Sequence, residues 1–263
     1  MFSLSKGKFT GRIVDKLNVK GVVINSASYA IDETNPGVHY HEVPHLCFLL
    51  NGLVETYKPN SSERNANHLS FYHSGEPHSS VSHSLISKSV NIEFGENFLS
   101  EYEFTESDIE KAVEDNLDIK FLILKIQQEV LLTDSSSISS IESLLINILS
   151  YTNNLNEKDE PKWIRDLHTV LNDRWNEHLT LEELSTATGV HPVTISKHFR
   201  KYFSCTLGDF LRKLKIDKSI PLVKNSNKTL TDIAIDCGFS DQSHFTRSFK
   251  QMTGLLPKTF RNM

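Results

Sequence analysis

The sequence has few cysteines, no long apolar run and none of the glycine patterns of common enzymes. Its 263 residues include three cysteines, Cys47, Cys205 and Cys237, which are far apart and lack C-x-x-C spacing. This argues against a disulfide framework and a cysteine zinc site, so we expect buried, reduced thiols. No apolar stretch approaches the ~20 residues that span a bilayer. The N-terminus continues into Gly7-Lys8-Phe9-Thr10 and not into an apolar segment, so we expect no secretory signal and a cytoplasmic location.

Catalytic signatures are also missing. The sequence has no G-x-S-x-G elbow, no phosphate-binding loop and no Rossmann glycine set. Because no nucleophile and base are evident as a pair, we expect no enzymatic activity and no required cofactor.

The charges are unevenly distributed along the chain. The net charge is −5, but residues 1–160 carry 12 Lys and Arg against 23 Asp and Glu, a net −11. Residues 161–263 carry 16 against 10, a net +6. A basic segment attached to an acidic one predicts that only the C-terminal part contacts phosphate.

The periodicity of apolar residues changes near position 100. Up to about Phe94 the pattern is strand-like, with β-rich stretches at 45–50 and 89–94. From about Glu106 it becomes helical, which suits one long helix or two shorter ones up to Leu131. We therefore predict a β domain over residues 1–100 and a helical segment over 101–152.

An apolar stripe follows the serine-rich break at 133–137, which is a good N-terminal capping region. The helix is predicted to end near Tyr151, and the stripe consists of Ile138, Ile141, Leu144, Leu145, Ile148 and Leu149. The stripe can pack on the β domain or against its copy in a homodimer, and periodicity does not separate the two. The polar stretch 153–161 is predicted to be a linker, followed by a helical domain over 162–263.

An internal repeat lies near the C-terminus. Thr180-Leu181-Glu182-Glu183-Leu184, followed by Gly189, recurs 49 residues later as Thr229-Leu230-Thr231-Asp232-Ile233, followed by Gly238. Each copy begins with a threonine and an acidic residue three positions on, as in a capping box, and ends at a glycine suited to a left-handed turn. A second helix then begins near His191-Pro192 or Ser240-Asp241. The repeat predicts two helix-turn-helix units, at about 180–203 and 229–252.

The second helix of each unit has an inward and an outward face. Ile195 and Phe199, and likewise Phe245 and Phe249, are four residues apart and are predicted to face inward. Most outward side chains are short polar or basic groups that can reach base edges and phosphates. The candidate DNA contacts are Val193, Ser196, Lys197, Arg200, Gln242, Ser243, Thr246, Arg247 and Lys250.

The last hundred residues resemble the DNA-binding domain of the AraC/XylS family of transcriptional regulators. The resemblance rests mainly on Cys237-Gly238-Phe239-Ser240-Asp241-Gln242-Ser243-His244-Phe245, continuing to Lys250, with Thr253-Gly254 and Phe260-Arg261. It implies a sequence-specific DNA-binding regulator, an activator more than a repressor, with RNA polymerase as a partner. It also implies two units, joined by a helix over about Leu207 to Ile220, that enter successive major-groove segments.

The chain departs from the family pattern at five positions. His191 and Pro192 replace the more usual small polar cap of the first recognition helix, and Val193 stands where a larger or polar contact residue is common. We therefore expect the first helix-turn-helix unit to read fewer bases and the second to dominate specificity. Ser204 replaces the glycine found at Gly254, and Pro221 is expected to shorten or bend the connecting helix.

Histidines in the N-terminal part resemble the two motifs of cupin β-barrels. His39-Tyr40-His41 is followed by His45, where cupins usually have glutamate, and Gly75-Glu76-Pro77-His78 resembles the second motif. We prefer a small-molecule effector pocket without metal, and its candidate wall residues are His41, His45, Phe48, Phe71, Tyr72 and His78. One alternative is a metal-dependent cupin enzyme fused to a DNA-binding tail, with His39, His41, His45 and His78 as ligands. Another is a domain that binds a protein.

The expected fold class is therefore α+β. It comprises an N-terminal cupin-like β-barrel, a helical segment that serves as linker or dimer contact, and a C-terminal all-α domain of two helix-turn-helix units.

Overall fold

The computed structural model describes residues 1–31, 37–57, 61–150 and 161–263. The chain is mixed α/β, with a sheet-rich N-terminal part and a helical C-terminal part. It divides into two compact units. The first is Met1–Asn154 with Thr253–Leu255, and the second is Leu155–Met252 with Leu256–Met263. Tyr151 and all but the last residue of the predicted linker lie outside the described residues.

The strands of the first unit form three separate sheets. The described strands are β1 (Phe2–Leu4), β2 (Arg12–Val19), β3 (Val22–Ala30), β4 (His39–His41), β5 (His45–Asn51), β6 (Leu53–Tyr57), β7 (Ser61–Asn65), β8 (His68–Tyr72), β9 (Ser79–Ser82) and β10 (Ile86–Phe94). The largest sheet has the order β2-β3-β10-β5-β8, a second has β7-β6-β9, and β1 pairs with β4 in parallel. These described strands do not close into a barrel.

The central strands of the large sheet are buried on both faces, and the two faces differ in chemistry. In β10, Ser87, Ser89, Asn91 and Glu93 alternate with the apolar Val90, Ile92 and Phe94, and all are buried. Because side chains alternate along a strand, one face of β10 is polar and the other apolar. Helices contact the outer strands β2 and β8 of the same sheet.

Four helices complete the first unit: α1 (Glu96–Glu101), α2 (Glu106–Asp115), α3 (Ile119–Leu132) and α4 (Ser137–Leu149). The residues with helical periodicity, 106 to 132, therefore form two helices, α2 and α3. They are separated at Asn116, whose side-chain oxygen accepts a hydrogen bond from the backbone N–H of Asp118 at 2.8 Å. The backbone N–H groups of Ser136 and Ser137 donate to Asp134, at 2.8 and 3.0 Å, so the start of α4 is capped by this aspartate.

Most of the predicted apolar stripe on α4 is buried within the single chain. Ile141, Leu145, Ile148 and Leu149 are fully buried, whereas Ile138 is exposed. The helix packs against α3 and contacts α2 and β2. The packing interpretation of the stripe thus accounts for four of its six residues.

The second unit is helical throughout its described length. Its helices are α5 (Lys162–Asp173), α6 (Leu181–Thr188), α7 (Pro192–Phe203), α8 (Leu207–Asn225), α9 (Leu230–Asp236), α10 (Gln242–Thr253) and α11 (Pro257–Asn262). Pro221 does not shorten the connecting helix, because α8 continues through it to Asn225; the alternative expectation, a bend at Pro221, stays a prediction. Ile220 and Val223 are both fully buried, so apolar packing holds the helix together on both sides of the proline.

The cysteines differ from the expectation that all are buried. Cys237 is buried, and burial raises the pKa of its thiol to about 12, whereas Cys47 and Cys205 are partly exposed. Among the described residues, no helix has the length and hydropathy needed to cross a membrane.

Candidate functional site

The two helix-turn-helix units begin with the same hydrogen-bonded cap. At the start of α6, Thr180 accepts from the backbone N–H of Glu183 at 3.2 Å, and Glu183 accepts from the backbone N–H of Thr180 at 2.8 Å. The bonds from Thr180, followed by a smaller effect of Arg174, lower the pKa of Glu183. Thr229 and Asp232 form the same box at the start of α9. Both boxes agree with the sequence prediction.

The turns that follow are also equivalent. Gly189 and Gly238 have φ values of +70° and +71°, the left-handed conformation that favours glycine. The second helices then begin at Pro192 and at Gln242. Asp241 accepts from the backbone N–H of His244 at 2.8 Å, and this bond is the main cause of its lowered pKa.

The second helices α7 and α10 present the predicted faces. Ile195, Phe199, Phe245 and Phe249 are buried, and they anchor each helix to its unit. Thr246 is half-buried. The other eight candidate contacts are exposed: Val193, Ser196, Lys197, Arg200, Gln242, Ser243, Arg247 and Lys250. Val193 is 65% exposed, and an apolar group in this position suits contact with a thymine methyl group.

Gln242 differs from the simplest expectation for a base-reading residue. Its side-chain oxygen accepts a hydrogen bond from the hydroxyl of Thr231 on α9 at 2.7 Å. A bidentate contact with adenine uses both the oxygen and the nitrogen of such an amide. In this conformation the amide oxygen of Gln242 already uses one of its two lone pairs within the protein, so Arg247 is the stronger candidate on α10.

The turn of the second unit packs tightly against neighbouring elements. The Lys215 ammonium on α8 donates to the Gly238 carbonyl at 2.8 Å, and the Asn176 carbonyl lies against the Gly238 α-carbon. A Cβ atom added at Gly238 would lie 2.0 Å from the Asn176 oxygen. Asn176 belongs to the loop before α6, so the second turn is held against the loop that precedes the first helix-turn-helix unit as well as against α8.

A cavity lined by both polar and apolar side chains lies within the sheets of the N-terminal unit. It encloses about 660 Å³ of space, including the part open to solvent. Its lining is Phe9, Thr10, Tyr29, His39, His41, His45, Cys47, Leu49, Val54, Thr56, His68, Ser70, Tyr72, His78, Ser80, Ser82, Ser89 and Asn91. This lining has many hydroxyl and imidazole groups, and among the described residues it includes no Lys, Arg, Asp or Glu.

Four of the six predicted wall residues line this cavity, namely His41, His45, Tyr72 and His78. Phe48 and Phe71 do not line it, and their assignment was wrong. Both are buried, but the cavity is lined by their strand neighbours, such as Cys47 and Ser70. Alternation along β5 and β8 therefore directs the two phenylalanines to the other face of the sheet.

Four buried histidines gather at one end of the cavity: His39, His41, His45 and His78. The ring centroids of His39 and His78 are 4.5 Å apart, those of His39 and His41 5.7 Å, and those of His41 and His78 5.6 Å. His45 lies 4.1 Å from His41, and its ring stacks on Tyr72 at 4.8 Å. The sequence prediction that these side chains converge is correct in geometry.

A buried carboxylate supports the cluster. Glu93 is fully buried on β10, and its oxygens accept from the His41 Nδ1, at 3.2 Å, and from the backbone N–H of Gly7. Glu93 was missing from the sequence-based candidates. The signal was the alternation of Ser89, Asn91 and Glu93 with apolar residues in one strand.

Three of these histidines form a set of nitrogen donors that can hold a metal ion. His39, His41 and His78 each offer one ligand nitrogen, and these atoms all lie within 4.8 Å of one another. Burial, followed by the neighbouring His41, lowers the pKa of His39 against the opposing effect of the Gly37 carbonyl. The neutral imidazole that binds metals is therefore favoured.

With both sites defined, the chain can be set beside known proteins. Residues 184–263 match the family model described as a helix-turn-helix domain. The transcriptional activator RhaS of Escherichia fergusonii is 26% identical over 54% of this chain and 53% of its own length. The bifunctional transcriptional activator and DNA repair enzyme AdaA of Bacillus subtilis is 28% identical over 41% of this chain and 52% of its own. The chain spans about half the length of these curated relatives.

A solved structure matches over a similar extent. The AraC-type transcriptional regulator from Chromobacterium violaceum covers 38% of this chain and 89% of its own, with a TM-score of 0.36 and 18% identity.

The C-terminal part of the chain is thus a helix-turn-helix domain, the class of module that binds double-stranded DNA. The motif from Cys237 to Lys250, on which the resemblance to the AraC/XylS family rests, lies within the matched residues.

Proposed function

We propose that this chain is a sequence-specific, DNA-binding transcription regulator, and an effector-responsive activator. The observation that carries the proposal is the pair of matched helix-turn-helix units, whose helices α7 and α10 expose polar and basic side chains. The relatives named as transcriptional activators support activation of transcription over repression. Double-stranded DNA and RNA polymerase are the proposed macromolecular partners, the proposed location is the cytoplasm, and no catalytic activity is proposed.

The N-terminal unit is proposed to sense the effector. In this proposal residues 1–100 are a cupin-like sensor domain, 101–152 a helical segment, 153–161 a linker and 162–263 the DNA-binding domain. The cavity lining supports an uncharged effector with both polar and apolar parts, because hydroxyl groups stand beside aromatic and aliphatic side chains and none of the described lining residues is Lys, Arg, Asp or Glu. His41, His45, Tyr72 and His78 are the proposed contacts retained from the sequence prediction.

A homodimer is part of the proposal. Because most of the stripe on α4 is buried in the single chain, the contact would use the apolar side chains that remain exposed nearby. These are Leu131 and Leu132 at the end of α3 and Ile138 at the start of α4. Sedimentation of the Ile138→Asp variant beside the wild-type chain tests this contact.

DNA binding is tested by selecting genomic fragments with the full-length chain and titrating the enriched fragments at several salt concentrations. We expect a preference over scrambled fragments and an affinity that falls steeply with salt, because phosphate contacts release counterions. Equal affinity for selected and scrambled fragments, or affinity independent of salt, would refute the proposal.

Arginine substitutions separate base contact from general charge. Arg247→Ala is expected to cost ~1–3 kcal/mol of binding free energy and to relax specificity at one position, if its guanidinium contacts a guanine. Arg12→Ala is the matched control, because Arg12 is an exposed arginine on β2, in the N-terminal unit.

Base-pair changes in the half-site bound by the second helix-turn-helix unit should cost more binding free energy than changes in the half-site bound by the first. Equal penalties for both half-sites would contradict this asymmetry.

A further inference from the structure

A side-chain hydrogen bond joins the two helices of the second helix-turn-helix unit at its surface. The Thr231 hydroxyl donates to the Gln242 Oε1 at 2.7 Å. Thr231 lies in the first turn of α9, and Gln242 is the first residue of α10, so the bond links the N-terminal ends of the two helices. Both residues are exposed. The bond therefore lies on the surface of the unit and not in its core.

The backbone on both sides of this bond is fixed without it. Thr229 and Asp232 cap the start of α9, and Asp241 accepts from the backbone N–H of His244 at the start of α10. Buried apolar side chains on both helices anchor them to the unit. An exposed hydrogen bond adds little to the stability of a fold, because water replaces it when it breaks. What the bond fixes is the orientation of the Gln242 side chain.

The first helix-turn-helix unit cannot form the equivalent bond. In the internal repeat Glu182 matches Thr231, since each follows its N-cap threonine by two positions. Pro192 matches Gln242, counted from the buried residue that anchors each second helix. Proline has no side-chain donor or acceptor. Both units nevertheless have the same caps and turns, so the pair is not needed for the motif and belongs to the unit expected to dominate specificity.

The orientation of an amide decides which base edge it matches. Its oxygen only accepts and its nitrogen only donates. The Gln242 oxygen is directed to Thr231 on α9, and the nitrogen, with two N–H donors, lies on the other branch of the planar amide. In the major groove guanine offers two acceptors, N7 and O6, whereas adenine offers one acceptor and one donor. An amide that presents its N–H groups to the groove therefore matches guanine.

Restraint of the side chain before DNA binds also favours the contact. A long glutamine side chain loses conformational entropy when it is fixed against a base. Because Thr231 restrains Gln242 in the free protein, part of this loss has already occurred. We propose that Thr231 is a positioning residue for DNA recognition, which holds the Gln242 amide nitrogen toward the major groove and makes Gln242 select guanine over adenine. This inference rests on the proposed DNA-binding function.

Selection from randomised DNA tests this assignment. The full-length chain and its variants select from a library in which each base pair of the enriched operator is varied, and bound sequences are counted. Gln242→Ala identifies the base pair that Gln242 reads, as the position where selectivity is lost. There the wild-type chain should prefer guanine, and Thr231→Val, which removes only the hydroxyl donor, should lose about 2- to 10-fold of the preference over adenine.

Two further variants separate positioning from a structural role. Thr231→Ser keeps the hydroxyl and should retain the preference for guanine. Thr231→Val should have no further effect in the Gln242→Ala background, because the hydroxyl acts through the amide. Thr186→Val is the matched control, since Thr186 is an exposed threonine on α6 whose hydroxyl donates to the Glu182 carbonyl at 3.0 Å. This variant should leave every base preference unchanged.

Several results would overturn the assignment. They are a wild-type preference for adenine at the Gln242 position, no loss of selectivity in Gln242→Ala, and an unchanged preference in Thr231→Val. Equal weakening of Thr231→Val on all sequences would also overturn it, because that result indicates a phosphate contact. A chain without any sequence preference would refute the proposed function as well, whereas a preference that is insensitive to Thr231→Val would refute only this inference.

Nuclear magnetic resonance relaxation tests the restraint without DNA. The side-chain amide of Gln242, assigned by its loss in Gln242→Ala, is measured in the free full-length chain. We expect a restrained amide in the wild-type chain and in Thr231→Ser, and a more mobile one in Thr231→Val. Equal mobility in all three would show that the hydroxyl does not hold the amide and would overturn the inference.

Discussion

The two turn glycines provide a comparison inside one molecule. Gly189 and Gly238 occupy equivalent positions with nearly identical φ values, +70° and +71°. Their surroundings differ, because an added Cβ meets no atom within 4 Å at Gly189 but lies 2.0 Å from the Asn176 oxygen at Gly238. Alanine at either position imposes the same left-handed strain, and only at Gly238 does it also cause a backbone clash.

The expected losses of stability follow from the left-handed strain at both glycines and the backbone clash at Gly238. The left-handed conformation costs alanine ~1–2 kcal/mol, and loss of freedom in the unfolded chain returns ~0.4–1 kcal/mol. Gly189→Ala should therefore lower the free energy of unfolding by about 1 kcal/mol or somewhat more. Gly238→Ala adds an overpacking cost of ~1–3 kcal/mol, because a backbone carbonyl cannot rotate away as a side chain can. The difference between the variants is the quantity to measure.

Tryptophan fluorescence during urea unfolding is the suitable assay. The chain has two tryptophans, Trp163 and Trp175, and both belong to the second unit. Trp175 directly precedes Asn176, the residue that the Gly238 substitution displaces. Equal losses of stability in the two variants, or a larger loss in Gly189→Ala, would refute the packing argument.

Three further predictions concern other parts of the molecule. Ile195→Ala should cost ~2–5 kcal/mol of stability because its side chain is fully buried, whereas Val193→Ala on the same helix should stay within ~0.5 kcal/mol; urea unfolding compares them, and similar losses would contradict the assigned faces. Ser204→Gly should raise the unfolding temperature, since Ser204 has a φ of +55° that glycine adopts freely; a lower temperature would mean that the serine side chain stabilises the cap. Burial lowers the pKa of His73, but Glu106 and Glu110 outweigh it and raise the pKa overall. The protonated form is thus favoured on folding, so this stabilisation is full below the ordinary histidine pKa and is lost as pH rises through the raised one. Thermal unfolding across a pH series should show this loss, and Glu106→Gln should reduce it; an unchanged profile in that variant would exclude the pair.

Local signals in the sequence were sufficient for the helix-turn-helix units. The capping boxes at Thr180 and Thr229 and the turn glycines depend on residues a few positions apart, and the repeat presents each signal twice. The structure has all four features as predicted. Such features are encoded within single turns of chain, so no knowledge of distant contacts is needed.

The wall of the cavity depends on information that the sequence pattern lacks. In β5, Leu46, Phe48 and Leu50 lie on one face and His45, Cys47 and Leu49 on the other, and neither face looks solvent-exposed in sequence. Periodicity gives the alternation but not which face meets the cavity, so Phe48 was assigned to the wrong side. Glu93 was missed because its role depends on pairing with distant His41 and Gly7.

Pro221 shows that packing can override a local signal in the sequence. The residue type predicts an interruption, since proline removes a helical hydrogen bond and crowds the preceding turn. Burial of Ile220 and Val223 outweighs that local preference, and the helix continues. This balance of local and tertiary terms cannot be read from the residue type alone.

The uninterrupted α8 has a consequence for the proposed operator. Its 19 residues correspond to about 28 Å of helix between the two helix-turn-helix units, and the Asn176 and Lys215 contacts with Gly238 fix the second turn against its neighbours. An extra base pair between half-sites rotates one of them by roughly 34° about the DNA axis. A stiff joint cannot follow that rotation without strain. The protein then selects the number of base pairs between the half-sites as well as their sequence. It does so through the fixed distance and angle between its two recognition helices.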